Sequence, residues 1–367
     1  MDLEREFRLL DRFYRENSFD LIINHELGIY FLKIRSISRA EILRKLAKRM
    51  KIDFSRISGK NLFRLIFCSK IPDDELDGFI NQIFKKERQK RMRNEDYIYR
   101  QLYKLKIFDW GGFHQNAVER TIVNNYVKKI QDYEELCESI VNDINPRLRG
   151  YILCSWYNHW TSILIEDMFK DHTNILPAVG RVKKVDFFWH DFPFDLKVTY
   201  FPDGYMTKKR KELGLRPELT EMKMFARRNN ISYDRNARDR EISSELLARI
   251  SEDVSKPAEE FMEKLHRIRN KIILNTIQNP TDLARWFYEN QGSRRFDAAS
   301  RFFLVLIDLR NLEDSWKLKR NKKLLRKEIS GFLDRNTEID FQKLKLSFKW
   351  ENRIYTTYST ILFVLRS

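Results

Sequence analysis

Only 11 glycines and 8 prolines punctuate the 367 residues of this chain. So few turn-forming residues cannot divide a polypeptide into many short strands, so long elements, mostly helices, are expected. Hydrophobic residues make up 42% of the sequence and charged ones 34%, enough for a packed core beneath a heavily charged surface. The length suits one large domain or two of roughly 100–200 residues. Lys and Arg number 70 against 53 Asp and Glu, a net charge of +17, and an excess of that size points to a polyanion, most commonly nucleic acid.

Several classes lose their support. No stretch approaches the roughly 18 consecutive apolar residues of a membrane span, and the charged start Met1-Asp2-Leu3-Glu4-Arg5 is unlike a signal peptide. Cys68, Cys137 and Cys154 are far apart and form no CxxC pair, so a reducing, cytoplasmic setting is expected without a disulfide framework or zinc knuckle. Neither GxGxxG nor GxxxxGK[ST] occurs, and no nucleotide cofactor is expected.

Residues 1–145 read as a mainly helical domain for DNA recognition or partner contact. Residues 19–23 and 29–34 suggest a short hairpin around His25–Gly28, and Ser38 with Glu41 has capping-box spacing. Further helices are expected to about 50, over 58–67, over 72–106, and over 118–130 and 133–141. Between Lys33 and Lys70 twelve basic residues face two acidic ones. Such a window is either a solvated face or a helix-turn-helix-sized module gripping phosphates, with Lys45, Lys48, Arg49 and Lys60 as its DNA contacts.

Residues 146–367 form the second expected domain. Asn145-Pro146 would cap a helix to about 170, with Leu148, Ile152, Trp156, Trp160, Ile163 and Leu164 on its apolar face. Ser155, His159, Ser162 and Glu166 make a polar stripe. The texture then changes to period two: 182–189 and 192–200 read as a hairpin joined at His190-Asp191. A helical insertion fills about 205–290. A buried strand follows over 302–309, then a helix over 312–333, a strand over 344–350, and one or two more to 365.

The hairpin carries the chemistry. Residues two apart on a strand share a face, so Asp195 and Lys197 are neighbours, and hairpin pairing brings Asp186 beside them. Two carboxylates in a partly buried site repel unless a cation relieves them. Mg²⁺, which takes carboxylate, water and phosphate oxygens, suits such a pair, and a lysine beside it can steady an attacking water. Glu166, at the end of the helical stripe, is placed to add a third acid, with Asp167 as its rival. Asp191 reads as a turn residue, and His159 and His190 as structural. Glu221-Met222-Lys223 repeats the D/E-x-K letters in a helical stretch, where such residues do not share a face.

This arrangement resembles the PD-(D/E)xK nuclease superfamily, whose pattern is an acid-bearing helix, a strand with Asp, and a strand with (D/E)-x-K. Glu166, Asp186, Asp195 and Lys197 match those positions, with Val185 where the motif has proline. The resemblance implies an α/β, helix-rich protein with a restriction endonuclease-like αβββαβ core, interrupted here by the helical insertion. It covers about 145–201 directly and 300–367 by topology alone. It further implies a Mg²⁺-dependent endonuclease on double-stranded DNA, with Mn²⁺ able to substitute and Asp186, Asp195 and Glu166 as metal ligands. A homodimeric type II restriction endonuclease is the specific expectation. The alternatives are a defence, repair or transposition nuclease targeted by a partner, and a catalytically silent DNA-binding protein. Two more basic clusters stand out, 317–327 and Lys208, Lys209, Arg210 and Lys211: each is either a solvated face or, in a nuclease, a flank of the duplex, and the second set is favoured as phosphate contacts.

Overall fold

The computed structural model describes residues 2–55, 57, 59–113, 117–293, 296–338 and 340–367, with 59, 60, 181 and 240 described by backbone alone. Lys60, one of the expected DNA contacts, therefore lies outside the described side chains. Helix α1 (Leu3–Arg15) begins at Asp2, whose carboxylate accepts the N–H groups of Glu4 and Arg5. After it come α2 (Phe19–Ile23), α3 (Gly28–Ser36), α4 (Ala40–Arg49), α5 (Gly59–Cys68) and the long α6 (Asp73–Leu102). Next, α7 (Val118–Ile122) and α8 (Tyr133–Ser139) each continue into a π-helical turn, the second running straight into α9 (Asn145–Lys170).

The chain then folds into a meander of β1 (Ile175–Val182), β2 (Val185–Trp189) and β3 (Phe192–Tyr200). Five helices follow: α10 (Asp203–Glu212), α11 (Glu218–Arg228), α12 (Asp239–Glu252), α13 (Lys256–Gln278) and α14 (Thr281–Glu289). Then come β4 (Arg301–Asp308), a 3₁₀ segment (Leu312–Arg320), α15 (Lys322–Arg335), α16 (Phe341–Leu344), β5 (Lys345–Trp350) and β6 (Arg353–Arg366). The six strands lie in the order β1-β2-β3-β4-β6-β5. Two-residue links with positive φ at both positions, His190-Asp191 and Glu351-Asn352, close the β2–β3 and β5–β6 hairpins. Their twist matches that of the flanking strands.

Two compact units divide the chain. The first holds Met1–Val198, Ala299–Phe302 and Glu313–Lys343; the second holds Thr199–Ala298, Phe303–Leu312 and Leu344–Ser367. A division at 145/146 is therefore not what the packing makes. Leu10, Phe31, Leu43, Phe67 and Ile80 share one core with Ala178, Val182, Val185 and Phe188, so the first six helices form one body with β1 and β2, and α3 and α6 lie against β1. In the second unit, Tyr205, Ile272, Leu283 and Tyr288 from the helices pack on Phe303, Val305, Leu346 and Phe348. A smaller core gathers Met222, Ala226, Leu246 and Ile250.

Other local expectations are corrected as well. Residues 19–23 and 29–34 are helical, not a hairpin. Gly28 opens α3, where an added Cβ would stand 1.7 Å from the Ile22 carbonyl oxygen. The residue before α4 is Arg39 rather than Ser38, and it makes no side-chain cap. Asn145 caps nothing, because Ile144 before it is already helical (φ −66°, ψ −48°). Helix α9 buries Cys154, Tyr157, Thr161, Leu164, Ile165 and Met168, whereas Ile152 is exposed and Trp156 and Trp160 are half-buried. The expected helix over 312–333 is split at Asn321, whose side chain accepts the Leu324 N–H and caps α15.

Strand β1 was not expected. It carries Pro177, which an edge strand tolerates, and its register with β2 shifts between Pro177 and Val182. Gly180 is required there: a Cβ would lie 2.6 Å from the Ser36 carbonyl oxygen. Because β1 precedes the predicted hairpin, three strands follow α9 without interruption. The insertion falls after the third, and the 302–309 strand is the fourth.

Candidate active site

The β2–β3 hairpin pairs Phe187 with Phe194 and Trp189 with Phe192. Extending that register by one residue sets Asp186 across from Asp195. The alternation turns Phe187 and Phe194 inward, where they meet Phe169 and Phe302, and leaves both carboxylates on the other face. Asp186 Oδ2 accepts the Leu196 N–H at 2.7 Å, fixing its side chain against the third strand. Asp195 is buried; its Oδ1 accepts from Lys197 Nζ at 2.6 Å and its own N–H donates to the Ser300 carbonyl at 2.9 Å. Arg301 Nε lies 3.8 Å from Asp195 Oδ2. Sequence alone does not connect Arg301 to this site, since it comes from β4, more than a hundred residues on.

Glu166 reaches the same place from α9. Its carboxylate is held by Lys170 one turn on, whose ammonium also donates to the Ala178 carbonyl at 2.8 Å. Glu166, Lys170 and Asp186 line a cleft of about 860 Å³, together with Arg39, Glu87 and Gly180. Arg39 donates to Glu87 across 2.7 Å. Lys170 was legible, four residues from Glu166 on one helical face; Arg39 and Glu87 carry no local signal.

The electrostatics single out Asp186. Burial, then the negative charges of Glu166 and Asp195, push its carboxyl up from 3.8 to about 7; the Leu196 hydrogen bond and Lys170 only partly oppose this. A proton or a cation is what such a group lacks. Among the described residues no group of three acidic, histidine or cysteine side chains is arranged to hold a metal ion. The donor set suits a hard cation that needs one or two carboxylates and completes its shell with water and phosphate oxygens, as Mg²⁺ does. Asp186 and Asp195 would supply two carboxylates to such an ion, with Glu166 tied to Lys170 near Asp186.

The remaining predicted residues separate clearly. Asp167 is engaged elsewhere: Arg91 grips both its oxygens at 2.7 and 2.8 Å, and Arg88 lies 3.5 Å away. Asp191 sits in the hairpin turn, 2.7 Å from Lys33 Nζ. His190 contacts the Asn336 carbonyl, while His159 is exposed beside Trp160. Glu221 serves Arg210, as a helical residue outside the site should.

The basic clusters need correction. Arg210 is fully buried, bonded to the Arg216 carbonyl, Glu218 and Glu221, and cannot reach a phosphate. Lys209 is clasped by Asp282 at 2.5 Å and Glu212 at 2.9 Å, leaving Lys208 and Lys211 as the exposed pair. On α4, Lys45 and Lys48 are exposed, Lys45 bonding Glu41; Arg49 donates to Gln82 and lies over Phe79. The 317–327 cluster is solvated only in part: Lys323, Arg326 and Lys327 are exposed, whereas Lys319 and Arg320 are not. Arg320 is buried and donates to the Leu102 and Leu105 carbonyls, and burial lowers the Lys319 ammonium to about 8.

Compared with known proteins, the chain matches no family model, no curated protein and no solved structure.

Proposed function

We propose that this chain is a divalent-metal-dependent endonuclease that hydrolyses phosphodiester bonds in double-stranded DNA, and that it works as a homodimeric type II restriction endonuclease. One observation carries the reading: Asp186 faces Asp195 across a two-residue hairpin and shares a cleft with Glu166, so that desolvation and those two acids push its half-buried carboxyl up to about 7. A site that gathers like charges in this way is built for a cation. The acid-bearing α9 followed by three consecutive strands also supports the reading, because it restores the αβββ order that the sequence had obscured.

In this reading Asp186 and Asp195 hold the metal and Glu166 assists. Mg²⁺, or Mn²⁺ in its place, would supply positive charge for the phosphate and a more acidic water. Lys197, bonded to Asp195 with its ammonium about half exposed, positions the attacking water and balances charge developing on the phosphate. No covalent intermediate is needed.

The test is incubation with long duplex DNA and Mg²⁺, beside Asp195→Ala and Lys197→Ala variants. Discrete fragments are expected from the wild type, with each variant slower by at least about a hundredfold. Random degradation or nicking would instead favour a defence, repair or transposition nuclease directed by a partner. A second reading, a catalytically silent DNA-binding protein, draws on the lysines that already accompany Glu166 and Asp195. Equal inertness of all three proteins, with DNA binding retained, would decide for it.

A further inference from the structure

The C-terminal end of α6, the 104–111 loop and the first half of α9 enclose a groove of about 1110 Å³. Its walls are largely apolar. Trp156 and Trp160 stand one turn apart on α9, and Tyr97 faces them from the α6 side with 57% of its surface exposed. Lys104, Lys106, Arg147 and Arg149 also line it, against a single acid, Asp109. That acid is partly engaged, accepting the Gly111 N–H.

The charge continues beyond the groove. Lys90, Arg93 and Arg100 are exposed and fall, in steps of three and four residues, on the same side of α6 as Tyr97, with the exposed Lys104 just past the helix end. None of Lys90, Arg93, Arg100, Lys104 and Arg149 is ion-paired among the described residues, although Arg88, Arg91, Lys322 and Arg326 nearby are each matched to a carboxylate. Two sides of one helix thus treat their cations differently. The row from Lys90 to Arg100 spans roughly 15 Å at the helical rise.

We infer that this face binds a single strand of nucleic acid, its phosphates along the unpaired cations of α6 and its bases against Trp156, Trp160 and Tyr97. A row of solvent-facing cations suits a polyanion, and the half-buried Trp156 and Trp160 beside the exposed Tyr97 suit flat partners; an unpaired strand supplies both, whereas a duplex keeps its base faces stacked. An acidic protein helix could answer the groove's rim but gives no reason for a cation row that runs on past it. The inference stands apart from the carboxylate hairpin and holds whether or not that site cuts DNA.

The experiment uses the full chain in EDTA, with fluorescein-labelled dT20 and anisotropy as the readout. Binding is expected to weaken steeply with salt. Arg93→Glu/Arg100→Glu should weaken it at least tenfold, while Lys345→Glu/Lys349→Glu, the same charge change on exposed positions of β5, should change it less than twofold. Trp156→Leu and Trp160→Leu should each cost about tenfold and reduce the quenching of tryptophan fluorescence. If a ring variant fails to fold, the exposed charge pair still decides. Equal weakening by the β5 pair, equally tight binding of a dA20·dT20 duplex with the same sensitivities, or displacement of dT20 by polyglutamate at equal charge would each overturn the inference.

Discussion

Glu166 and Asp167 are adjacent in sequence, yet the acids around them live in opposite electrostatic regimes. On one side of α9, Asp167 and Asp171 meet Arg88 and Arg91, and Glu95 takes Arg88, Lys322 and Arg326. Burial pushes the Glu95 carboxyl up, but the bonds from Lys322 and Arg88 outweigh it and hold the group below its ordinary range. On the other side, Asp186 has only the Leu196 N–H and the charge of Lys170 against burial and two carboxylates. The paired region is a joint, fastening α6 to α9 and α15. In the hairpin, Asp186 carries a charge that folding alone does not satisfy, and the proposed metal would answer it.

The most damaging change should be in the joint. Arg88→Ala leaves Asp167, Asp171 and Glu95 without their shared partner, and breaking a buried pair from one side costs about 3–5 kcal/mol. Urea denaturation should show the midpoint falling with the slope unchanged. A loss under about 1 kcal/mol would mean that the lattice is ornamental and the comparison fails.

Asp186→Asn should have the opposite sign. A carboxyl raised to about 7 in the folded protein, from 3.8, keeps its proton over a range where the unfolded chain has lost it. Its contribution to stability therefore declines as pH rises from about 4 to 7. Asparagine removes that penalty and still offers an oxygen to the Leu196 N–H. The variant should be more stable than wild type at pH 8, by up to roughly 4 kcal/mol, with the difference shrinking by pH 5 and vanishing near pH 4. Urea unfolding at the three pH values measures this. A gain independent of pH would show that the charge is not the cause.

The contrast also explains which parts were legible. The β2–β3 hairpin could be read because its alternation and its His190-Asp191 link are local, and Asp186, Asp195 and Lys197 come with it. Glu166 could be proposed from helical spacing, but choosing it over Asp167 required Arg88 and Arg91, some eighty residues upstream. Strand β1 escaped because Pro177 and Gly180 break its pattern, and its place is set by β2 and by the end of α3. The wrong face of α9 was favoured because that helix is apolar on more than one side, and the surplus rings line a groove instead of the core. Arg210 and Arg320 looked like surface charge because sequence reports a cation's presence and not its partner.

The mildest change lies where the two regimes meet. Lys33 on α3 is buried, with Asp77 at 2.9 Å and Asp191 of the hairpin turn at 2.7 Å. Burial pulls its ammonium down, yet the bonds from Asp191 and Asp77 hold it above its ordinary value, so it stays charged and must be answered. Asp191 is the more exposed partner, at 71% against 28% for Asp77, and solvent screens much of its contribution. Asparagine there keeps an acceptor and tolerates the φ of 62° that the turn imposes. Asp191→Asn should therefore cost less than about 1 kcal/mol. Asp77→Asn should cost more, because it leaves the buried Lys33 only its solvent-screened partner, and this outweighs the relief of a carboxyl that burial pushes up. Both are read by urea denaturation at pH 7. The reverse order would mean that the exposed turn, not the α3–α6 contact, fastens the hairpin. The site would then be held by a bond that solvent can compete for, and the contrast between the paired joint and the Asp186 carboxyl would weaken.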